Sequence, residues 1–344
     1  MQDIDVIAPN FKRRLSGVTS TIVRLVPEQS KEINIRAVGP VLPRHVPQMR
    51  VFELFLLSRN KVRIWHARRN SEMLFGLILK VFFRRRLILM FTSASQRHHT
   101  KYTRWLISKM TTVVATSKKT AGYLERSAHV IMHGIEVNSF TPPLNRDNLR
   151  AELGVPNGFL IGCFGRIRPS KGTDLFITAM INVLPHYPQA KALIMGRATN
   201  AHQAFFQEQK KRVAASGLED RILFLPEVPV DKMADWYRIL NLFVAPQRWE
   251  GFGLTPLEAM SCGLPVVATN VGAFEEMVTV ENGQLVEPGD AILLSDAIKP
   301  YIEDENKCSQ QGRNSRKIAE KNFSLEREAQ SLNELYKDLL TAST

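Results

Sequence analysis

Short apolar stretches that alternate with helical stretches constrain the fold of this chain more than any other feature of its sequence. In the first part of the chain these stretches predict strands at 5–8, 33–38, 62–65, 87–91 and 112–115. After a break the pattern restarts, and it predicts strands at 160–164, 192–195, 222–225, 242–245 and 265–269. Helical stretches lie between several of these strands. Such alternation favours parallel sheets that are covered by helices on both faces.

A chain of 344 residues is long for a single hydrophobic core, so two domains are expected. The alternation breaks at 136–150, which contains a pair of prolines and many polar residues. We therefore predict an α/β protein with two doubly wound, Rossmann-like domains, 1–140 and 141–324, that face each other across a cleft. In such sheets ligands bind beyond the carboxyl ends of the strands, so the residues that follow each strand are the candidates for function.

Charge is spread unevenly along the chain. Residues 1–150 contain 26 Lys and Arg against 9 Asp and Glu, whereas residues 151–344 contain 20 against 24. A basic half favours an anionic partner, and nucleic acid, an anionic membrane and a phosphorylated or carboxylated substrate all fit this description. A solvated basic surface without a specific partner would give the same composition.

The first residues and the cysteines predict a cytoplasmic protein. The N-terminus lacks the basic start, the apolar run and the small-residue cleavage site of a signal peptide. The most apolar stretch, Met73–Phe83, is far shorter than the ~20 residues that span a bilayer, and the basic run Arg84–Arg86 follows it. Cys163, Cys262 and Cys308 have no metal-binding spacing, which favours buried free thiols in a reducing compartment.

The segment Arg248–Gly263 (RWEGFGLTPLEAMSCG) carries the first set of candidate residues, and it directly follows a predicted strand. Thr255 is the expected N-cap of a helix, with Pro at the first helical position and Glu258 closing a capping box. A helix N-terminus that follows a glycine loop binds anions well, so a diphosphate fits there. Glu258 could serve the capping box alone, but this interpretation leaves Glu250 and the two glycines of the loop unexplained.

A second candidate set lies in Gly165–Gly172 (GRIRPSKG), which also follows a predicted strand. Arg166 and Lys171 would lie beyond the end of that strand, where two cations could clamp a leaving diphosphate. When the anomeric C–O bond of a sugar nucleotide breaks, negative charge grows on the phosphate, so such cations stabilise the transition state more than the ground state. The only Asp-x-Asp, Asp3 and Asp5, lies at the N-terminus, so no metal ion is expected to be required. Without a ligand, the same two cations would be ordinary exposed side chains.

Together the two segments resemble the retaining glycosyltransferases of family 4, which have the two-domain GT-B fold. Glu250 and Glu258 match the E-x7-E motif of that family, and the resemblance covers nearly the whole chain. Among subfamilies the chain is most similar to lipopolysaccharide-core mannosyltransferases, which use GDP-mannose and an inner-core Kdo acceptor. The resemblance implies an acceptor-binding first domain, a nucleotide-sugar-binding second domain, and a C-terminal helix within 325–344 that packs back on the first domain.

The resemblance also implies roles for individual residues. Arg166 and Lys171 bind the donor diphosphate and, with Glu250, are the implied catalytic residues. Glu250 contacts the hydroxyls of the transferred sugar, and Glu258 binds the ribose hydroxyls. The other implied donor-site residues are Gly17, Gly165, Gly251, Phe252, Gly253, Leu254 and Thr255. At Gly17 the family has a loop with a glycine pair, whereas here a serine precedes the glycine.

The first domain departs from the family at the positions expected to meet the acceptor. After the strand at 62–65 members carry His-x-His; here His66 matches the first histidine and Arg68 takes the place of the second. His66 is therefore either a substrate contact or a structural histidine. Arg68 and Arg69 are candidates for meeting an anionic acceptor. His133, which stands where the family usually has Asn, is a further acceptor candidate or a loop histidine.

The sequence thus predicts a hexosyltransferase, most similar to enzymes that move mannose from GDP-mannose onto inner-core lipopolysaccharide or another anionic lipid-linked acceptor. It would need no cofactor, and its basic first half would contact the inner face of the cytoplasmic membrane peripherally. Another GT-B enzyme, such as a UDP-hexose transferase, an epimerase or a sucrose-type synthase, stays open because fold alone does not fix function. A nucleic-acid-binding protein is suggested by charge alone, without an RNP, KH, zinc or helix-turn-helix signature, so no nucleic acid is expected as a partner.

Overall fold

Two parallel sheets form the framework of the protein, whose computed structural model describes residues 4–12 and 17–343. Numbered along the chain, the strands are β1 (Val6–Pro9), β2 (Ile35–Val38), β3 (Gln48–Met49), β4 (Arg63–Ala67), β5 (Leu87–Ser93), β6 (Thr112–Ala115), β7 (His129–Val130), β8 (Phe159–Phe164), β9 (Ala190–Met195), β10 (Ile222–Leu225), β11 (Leu242–Ala245), β12 (Val266–Thr269) and β13 (Gly283–Val286). The helices are α1 (Gly17–Gln29), α2 (Asn70–Val81), α3 (Lys101–Ser108), α4 (Lys118–Gly122), α5 (Arg146–Glu152), α6 (Thr173–Val183), α7 (Gln203–Ala215), α8 (Met233–Arg238), α9 (Thr255–Ser261), α10 (Phe274–Met277), α11 (Ala291–Glu303), α12 (Glu305–Asn322) and α13 (Leu325–Thr341). The central strands are buried along their whole length, because helices shield both faces of each sheet from water.

The strands of both sheets follow the order of a Rossmann fold. The first sheet has seven strands in the order β3-β2-β1-β4-β5-β6-β7, and the second has six in the order β10-β9-β8-β11-β12-β13. All of these pairings are parallel. The order reverses between β1 and β4 in the first sheet and between β8 and β11 in the second. The predicted class of two doubly wound, parallel-sheet units is confirmed, and each sheet has a switch point at which ligands of such folds bind.

The chain forms two compact units, of which the second is continuous and the first is not. The second unit is Ile135–Phe323, and the first comprises the residues before and after it. The sequence predicts the first boundary after residue 140 instead. The stretch between the two positions belongs to the second unit because Arg316 of α12 donates hydrogen bonds to its carbonyl oxygens, to Val137 at 2.8 Å and to Phe140 at 2.6 Å.

Helix α13 belongs to the first unit and completes its core. Ser324 is the N-cap, and its hydroxyl accepts a hydrogen bond from the N–H of Arg327 at 3.2 Å. The apolar face of the helix buries Leu332 and Tyr336 in the same cluster as Val6 of β1. The last helix therefore covers one face of the first sheet, as the resemblance implies.

Several elements are hard to recognise in the sequence, each for its own reason. Helix α12 buries only small residues, Cys308, Gly312, Ser315 and Ala319, so it has no broad apolar stripe. Helix α11 contains Pro300, a residue that usually marks the end of a helix. Strands β3 and β7 have two residues each, too few for a period to be visible.

Cys163, Cys262 and Cys308 are buried free thiols, as the sequence predicts. Among the residues described, none of the helices combines the length and the apolar character that crossing a membrane requires.

Candidate functional site

The switch point of the second sheet brings the two candidate segments together. Strands β8 and β11 are neighbours, with Leu242 opposite Ile161. The segment Gly165–Gly172 therefore leaves the sheet beside the segment that follows β11. The two are also joined through their backbones, because the N–H of Arg248 donates to the carbonyl oxygen of Ser170 at 3.1 Å.

The two segments approach so closely that Gly172 cannot carry a side chain. This residue follows the 3₁₀ turn Pro169–Lys171 and has a left-handed backbone with φ of 70°. A Cβ atom there would lie 1.8 Å from the carbonyl oxygen of Pro246. Glycine alone satisfies both conditions, and it fixes the point from which the neighbouring Lys171 extends.

Lys171 and Glu250 form the central ion pair of this site, between the ammonium group and Oε2 of the carboxylate. The lysine side chain is 20% exposed and the glutamate side chain 15%. Oε1 of the same carboxylate accepts a hydrogen bond from the N–H of Gly251 at 2.9 Å. Because water reaches both side chains only in part, their attraction is less screened than that of a surface pair. The structure thus joins the residue expected to bind the diphosphate to the residue expected to contact the sugar.

A second ion pair, which the sequence does not reveal, fastens the same two segments. The guanidinium of Arg248 donates two hydrogen bonds of 2.7 Å to the carboxylate of Asp174, in the first turn of α6. It also donates to the carbonyl oxygen of Pro169 at 2.7 Å. A bidentate pair of this kind fixes geometry as well as charge. Arg248 therefore braces the loop and leaves anion binding to other cations.

Arg166, the second expected diphosphate ligand, is exposed. Within residues 4–12 and 17–343, its guanidinium has no hydrogen-bond or ion-pair partner. Gly165, beside it, is exposed as well. Arg166 is thus open to an anionic ligand, whereas Lys171 and Arg248 are already paired.

Cys163 shows that the charge of Lys171 reaches the end of β8. Burial raises the pKa of this thiol to about 12, and the nearby lysine charge opposes the rise. The thiol therefore stays protonated at neutral pH, and its place is in the core of the sheet.

The start of helix α9 differs from the predicted one. The helix begins at Thr255, and its N-cap is Leu254, whose hydrocarbon side chain cannot accept a hydrogen bond. The prediction of a capping box with Thr255 as N-cap is therefore wrong. The carboxylate of Glu258 instead accepts a hydrogen bond from the hydroxyl of Tyr237 at 2.7 Å. Tyr237, in the preceding helix α8, thus helps to orient the side chain of Glu258, which is expected to bind the ribose.

Tyr237 is fully buried, and its ionisation is suppressed. Its pKa is raised well above the ordinary value, first by burial and then by the charge and the hydrogen bond of Glu258. The hydroxyl therefore remains protonated, and able to donate, at neutral pH. The sequence gives no sign of this role, because Tyr237 lies 21 positions before its partner.

The turn between the two glutamates is packed against the start of α10. Gly253 has φ of 91°, and a Cβ atom there would lie 2.3 Å from the ring of Phe274. The carbonyl oxygen of Phe252, whose side chain is buried, accepts a hydrogen bond from the N–H of Ala273 at 3.2 Å. Three other residues of the turn are partly buried: Gly251, Leu254 and Thr255. The expected donor-binding backbone is therefore a turn that packs against the start of α10.

The switch point of the first sheet holds a buried polar network centred on Arg69. Its guanidinium donates to the side-chain oxygen of Asn10 at 2.9 Å and to the hydroxyl of Thr19 at 3.1 Å. It also forms an ion pair with Glu72 at 2.6 Å. Asn10 and Glu72 are fully buried. Arg69, a predicted acceptor contact, is thus engaged in joining the ends of β1 and β4 to α1 and α2.

His66 lies inside the first unit, with its imidazole completely buried. Nδ1 is 2.5 Å from the hydroxyl of Tyr336, and Nε2 is 2.6 Å from the hydroxyl of Thr92. Burial lowers the pKa of the ring well below its ordinary value, and the charge of Arg68 lowers it further, so the ring is neutral. An acceptor could reach the ring only after one of these two hydrogen bonds had broken.

The other two acceptor candidates, Arg68 and His133, face the same small cavity. It has a volume of about 10 Å³, enough for one water molecule, and Thr92 and Glu328 also line it. Nδ1 of His133 is 2.8 Å from the carboxylate of Glu328, which also accepts the N–H of Gly134 at 2.8 Å. The structure therefore groups these two candidates with a carboxylate of α13.

Gly17 is the first residue of α1, and the loop expected before it falls on 13–16, outside the described residues. Across the part of the chain that is described, no group of three or more His, Cys, Asp or Glu side chains is placed to hold a metal ion.

Two Rossmann-type sheets, with a Lys–Glu pair and an open arginine at the switch point of the second, agree with the glycosyltransferase class that the sequence predicts. Residues 145–318 match the family described as "Glycosyl transferases group 1". The chain is 47% identical to the lipopolysaccharide core biosynthesis mannosyltransferase LpsB of Rhizobium meliloti (strain 1021), with 99% of each chain covered. It is 48% identical to the lipopolysaccharide core biosynthesis mannosyltransferase LpcC of Rhizobium leguminosarum bv. viciae, with 99% of this chain and 98% of that protein covered. The chain belongs to the group 1 glycosyl transferases.

A solved structure supports the fold assignment independently. Anabaena HepE in complex with UDP matches with a TM-score of 0.85, covering 97% of this chain and 100% of that one. At 22% sequence identity, this likeness concerns the fold alone.

Proposed function

We propose that this protein transfers a mannosyl residue from GDP-mannose to the core of lipopolysaccharide or another anionic lipid-linked acceptor, with retention of anomeric configuration. Two relatives that match over nearly the full chain carry the name lipopolysaccharide core biosynthesis mannosyltransferase. The observation that carries the proposal is the Lys171–Glu250 ion pair at the second switch point, on the same edge as the open Arg166.

The ion pair is suited to both parts of a sugar nucleotide. In the free protein the ammonium of Lys171 and the carboxylate of Glu250 neutralise each other. A diphosphate offers the ammonium a partner of higher charge, and the carboxylate is then released to accept hydrogen bonds from sugar hydroxyls. Because each charge keeps a partner after this exchange, donor binding leaves no buried charge unpaired.

The same residues fit the chemistry of glycosyl transfer. The bond between the anomeric carbon and the phosphate oxygen breaks, and the departing diphosphate keeps the electron pair. The acceptor hydroxyl gives its proton to the departing diphosphate and bonds to the anomeric carbon. Lys171 and Arg166 would stabilise the charge that develops on the diphosphate, an interaction that strengthens towards the transition state. In this proposal the two cations act without a metal ion, and no other cofactor takes part.

The first unit is proposed to meet the acceptor at an anionic membrane. Residues 1–150 carry a large excess of basic side chains, and Arg68 and His133 line one cavity at the ends of its strands. Phosphate and carboxylate groups of a lipopolysaccharide core suit such a surface. We place the protein at the inner face of the cytoplasmic membrane, and nucleic acid has no part in this proposal.

A donor panel tests the proposal most directly. Thermal shift with GDP-mannose, GDP, UDP-glucose and UDP ranks the nucleotides, because a ligand that binds the folded state raises its stability by mass action. We expect GDP-mannose to give the largest shift and to donate mannose to Kdo-containing core oligosaccharide, with the α-configuration retained in NMR spectra of the product.

Other outcomes would each remove one part of the proposal. A larger shift and faster transfer with a UDP-sugar would exclude the mannosyl donor. Hydrolysis or epimerisation of the sugar nucleotide without an acceptor would favour a different enzyme of the same fold. Complete loss of transfer in EDTA would contradict the metal-free mechanism.

A further inference from the structure

Two segments of the first unit expose large apolar side chains next to each other. One is the 3₁₀ helix Val51–Phe55 with the residue that follows it, and the other is the end of α2 with the two residues after it. We call the following residues the apolar patch: Val51, Phe52, Phe55, Leu56, Val81, Phe82 and Phe83. Phe82 is 79% exposed and Leu56 65%, and the rings of Phe55 and Phe83 lie 4.8 Å apart between centroids. An exposed apolar surface of this kind usually marks a binding site for an apolar partner.

Buried residues next to the patch hold its first segment on the core. Leu54 and Leu57 have exposed fractions of only 0% and 5%. The guanidinium of Arg85 joins the two segments, because it donates hydrogen bonds to the carbonyl oxygens of Phe55 and Leu57. The exposed rings are therefore held in place by buried neighbours.

Basic residues flank both segments of the patch along the chain, and we call them its rim. The stretches 50–61 and 80–86 contain seven Lys and Arg against a single acidic residue, Glu53. The carboxylate of Glu53 is occupied locally, since it accepts the N–H of Arg50 at 2.6 Å. The exposed cations of the rim are Arg50, Arg59, Lys80, Arg84 and Arg86. Exposed apolar side chains flanked by cations complement an anionic lipid surface, in which acyl chains lie beneath phosphate groups.

Arg84 adds an observation about the backbone. It has φ of 51°, in the left-handed region, two residues after Phe82, the C-cap of α2. Glycine adopts this backbone conformation readily, whereas a side chain there costs free energy. The arrangement closes the helix, with the N–H of Arg85 donating to the carbonyl oxygen of Leu79 at 3.1 Å. The exposed cation of Arg84 thus occupies a position whose backbone conformation glycine adopts more easily.

We propose that the apolar patch and its basic rim dock this protein on an anionic lipid bilayer. The aromatic and aliphatic side chains enter the interface, and the arginines of the rim meet the lipid phosphates. This inference rests on the proposed function, because a lipid-linked acceptor requires the enzyme to work at a membrane. The α2 part of the patch lies before β5, whereas Arg68 follows β4. Because β4 and β5 are parallel neighbours, this part of the patch and Arg68 lie towards opposite ends of these strands, so docking and substrate contact can be varied separately.

Co-sedimentation with vesicles tests the proposal on the full chain. The vesicles are phosphatidylcholine alone or phosphatidylcholine mixed with anionic phosphatidylglycerol. We expect binding to the mixed vesicles and much weaker binding to phosphatidylcholine. Phe82→Ser should lower the partition coefficient about tenfold, because one aromatic side chain that would enter the bilayer is lost. Arg84→Gly should lower it about fivefold, through the loss of one interfacial cation, while the Tm stays equal or rises.

A matched control separates docking from general hydrophobicity. Leu144 is completely exposed in the second unit, so Leu144→Ser should bind vesicles as the unchanged chain does. The proposal is overturned if the unchanged chain fails to bind mixed vesicles, or if Phe82→Ser and Arg84→Gly bind them as well as it does. It is also overturned if light scattering shows that Phe82→Ser dissociates a dimer without weakening vesicle binding, since the patch would then join two copies of the chain.

The outcome can be distinguished from a failure of the proposed function. Transfer to a soluble core oligosaccharide does not require docking, so Phe82→Ser should retain its rate there. Vesicle binding that depends on the patch, in a protein that transfers no mannose, would support the docking surface and exclude the mannosyltransferase. Mannose transfer without any vesicle binding would support the mannosyltransferase and exclude the docking surface.

Discussion

The ammonium of Lys171 is paired with the carboxylate of Glu250, although the two residues lie 79 positions apart and follow different strands. The pair exists because β8 and β11 are neighbours at the switch point of the second sheet. A cation expected to bind phosphate is therefore held, before any donor arrives, by the group expected to bind the sugar. On donor binding, the diphosphate would replace Glu250 as the partner of Lys171.

Replacing Lys171 by Ala should lower kcat/KM for transfer by about 10²–10³-fold, the range for losing one preorganised group that stabilises developing charge. Steady-state kinetics with saturating acceptor would measure it. Lys211→Ala, which removes an exposed lysine of α7, should keep the full rate. A Lys171→Ala enzyme that transferred mannose at the original rate would exclude the proposed clamp.

Tyr237→Phe should weaken donor binding without preventing folding. It removes the hydroxyl that holds Glu258 at 2.7 Å, so the KM for the donor should rise several-fold, while stability falls by about 1 kcal/mol for the lost hydrogen bond. Tyr301→Phe is the matched control, because that buried hydroxyl bonds Gln311 at 2.7 Å elsewhere in the same unit. Urea unfolding should show similar losses for both variants, and kinetics should show a raised KM for Tyr237→Phe only. Equal KM values would mean that Glu258 needs no such support.

Arg69→Ala should destabilise the first unit by about 3–5 kcal/mol, because it leaves the buried carboxylate of Glu72 without its cation. Arg104→Ala removes an ion pair with Glu125 whose side chains are 44% and 63% exposed, and it should cost less than about 1 kcal/mol. Denaturant titration of the two variants makes the comparison. If Arg69→Ala proved as mild as Arg104→Ala, Arg69 would be free for the acceptor role that the sequence suggests.

Acid should destabilise the first unit through His66. Burial holds the pKa of this ring well below the ordinary 6.5, so the unfolded chain takes up a proton there as the pH falls while the folded chain does not. The stabilisation is complete above pH 6.5, and below that it is lost at up to ~1.4 kcal/mol per pH unit. Partial burial also lowers the pKa of His99, which acts in the same direction.

Unfolding free energies between about pH 7 and 5.5 check this expectation. His66→Gln should flatten the slope in part, leaving the contribution of His99. His45→Gln, at an exposed position, should leave the slope as it is. An unchanged slope in His66→Gln would show that the acid sensitivity has another origin.

The sheets could be predicted from the sequence because their strands are short, apolar and buried on both faces. The strands at 112–115, 222–225 and 242–245 lie where the pattern places them. Helix α12 gave no comparable signal, since its buried side chains are small and its contacts with 135–140 are hydrogen bonds from Arg316 to backbone oxygens. Such contacts depend on geometry that no local pattern records, so the unit boundary shifts with them.

The site was predictable to the extent that its residues lie within one segment. Lys171 and Glu250 stand at recognisable loop positions, and the sheet order then brings them together. The side chains that support them come from elsewhere: Asp174 bonds Arg248 from α6, and Tyr237 bonds Glu258 from α8. The wrong N-cap at Thr255 has the same origin, because local capping rules do not register a tertiary partner for Glu258.

Helix α13 has a consequence for how the chain is made. Its Tyr336 lies 270 positions after His66, yet the two share a hydrogen bond inside the first unit. The ribosome synthesises the complete second unit before it reaches this helix. The first unit, although its synthesis begins first, can therefore complete its core only at the end of translation. Until then helix α1 alone covers this apolar face of the first sheet, and the part of the cluster that α13 completes remains open to water. A nascent chain of this protein therefore offers chaperones an early and lasting target, and a truncation of its last few turns would leave that target permanently exposed.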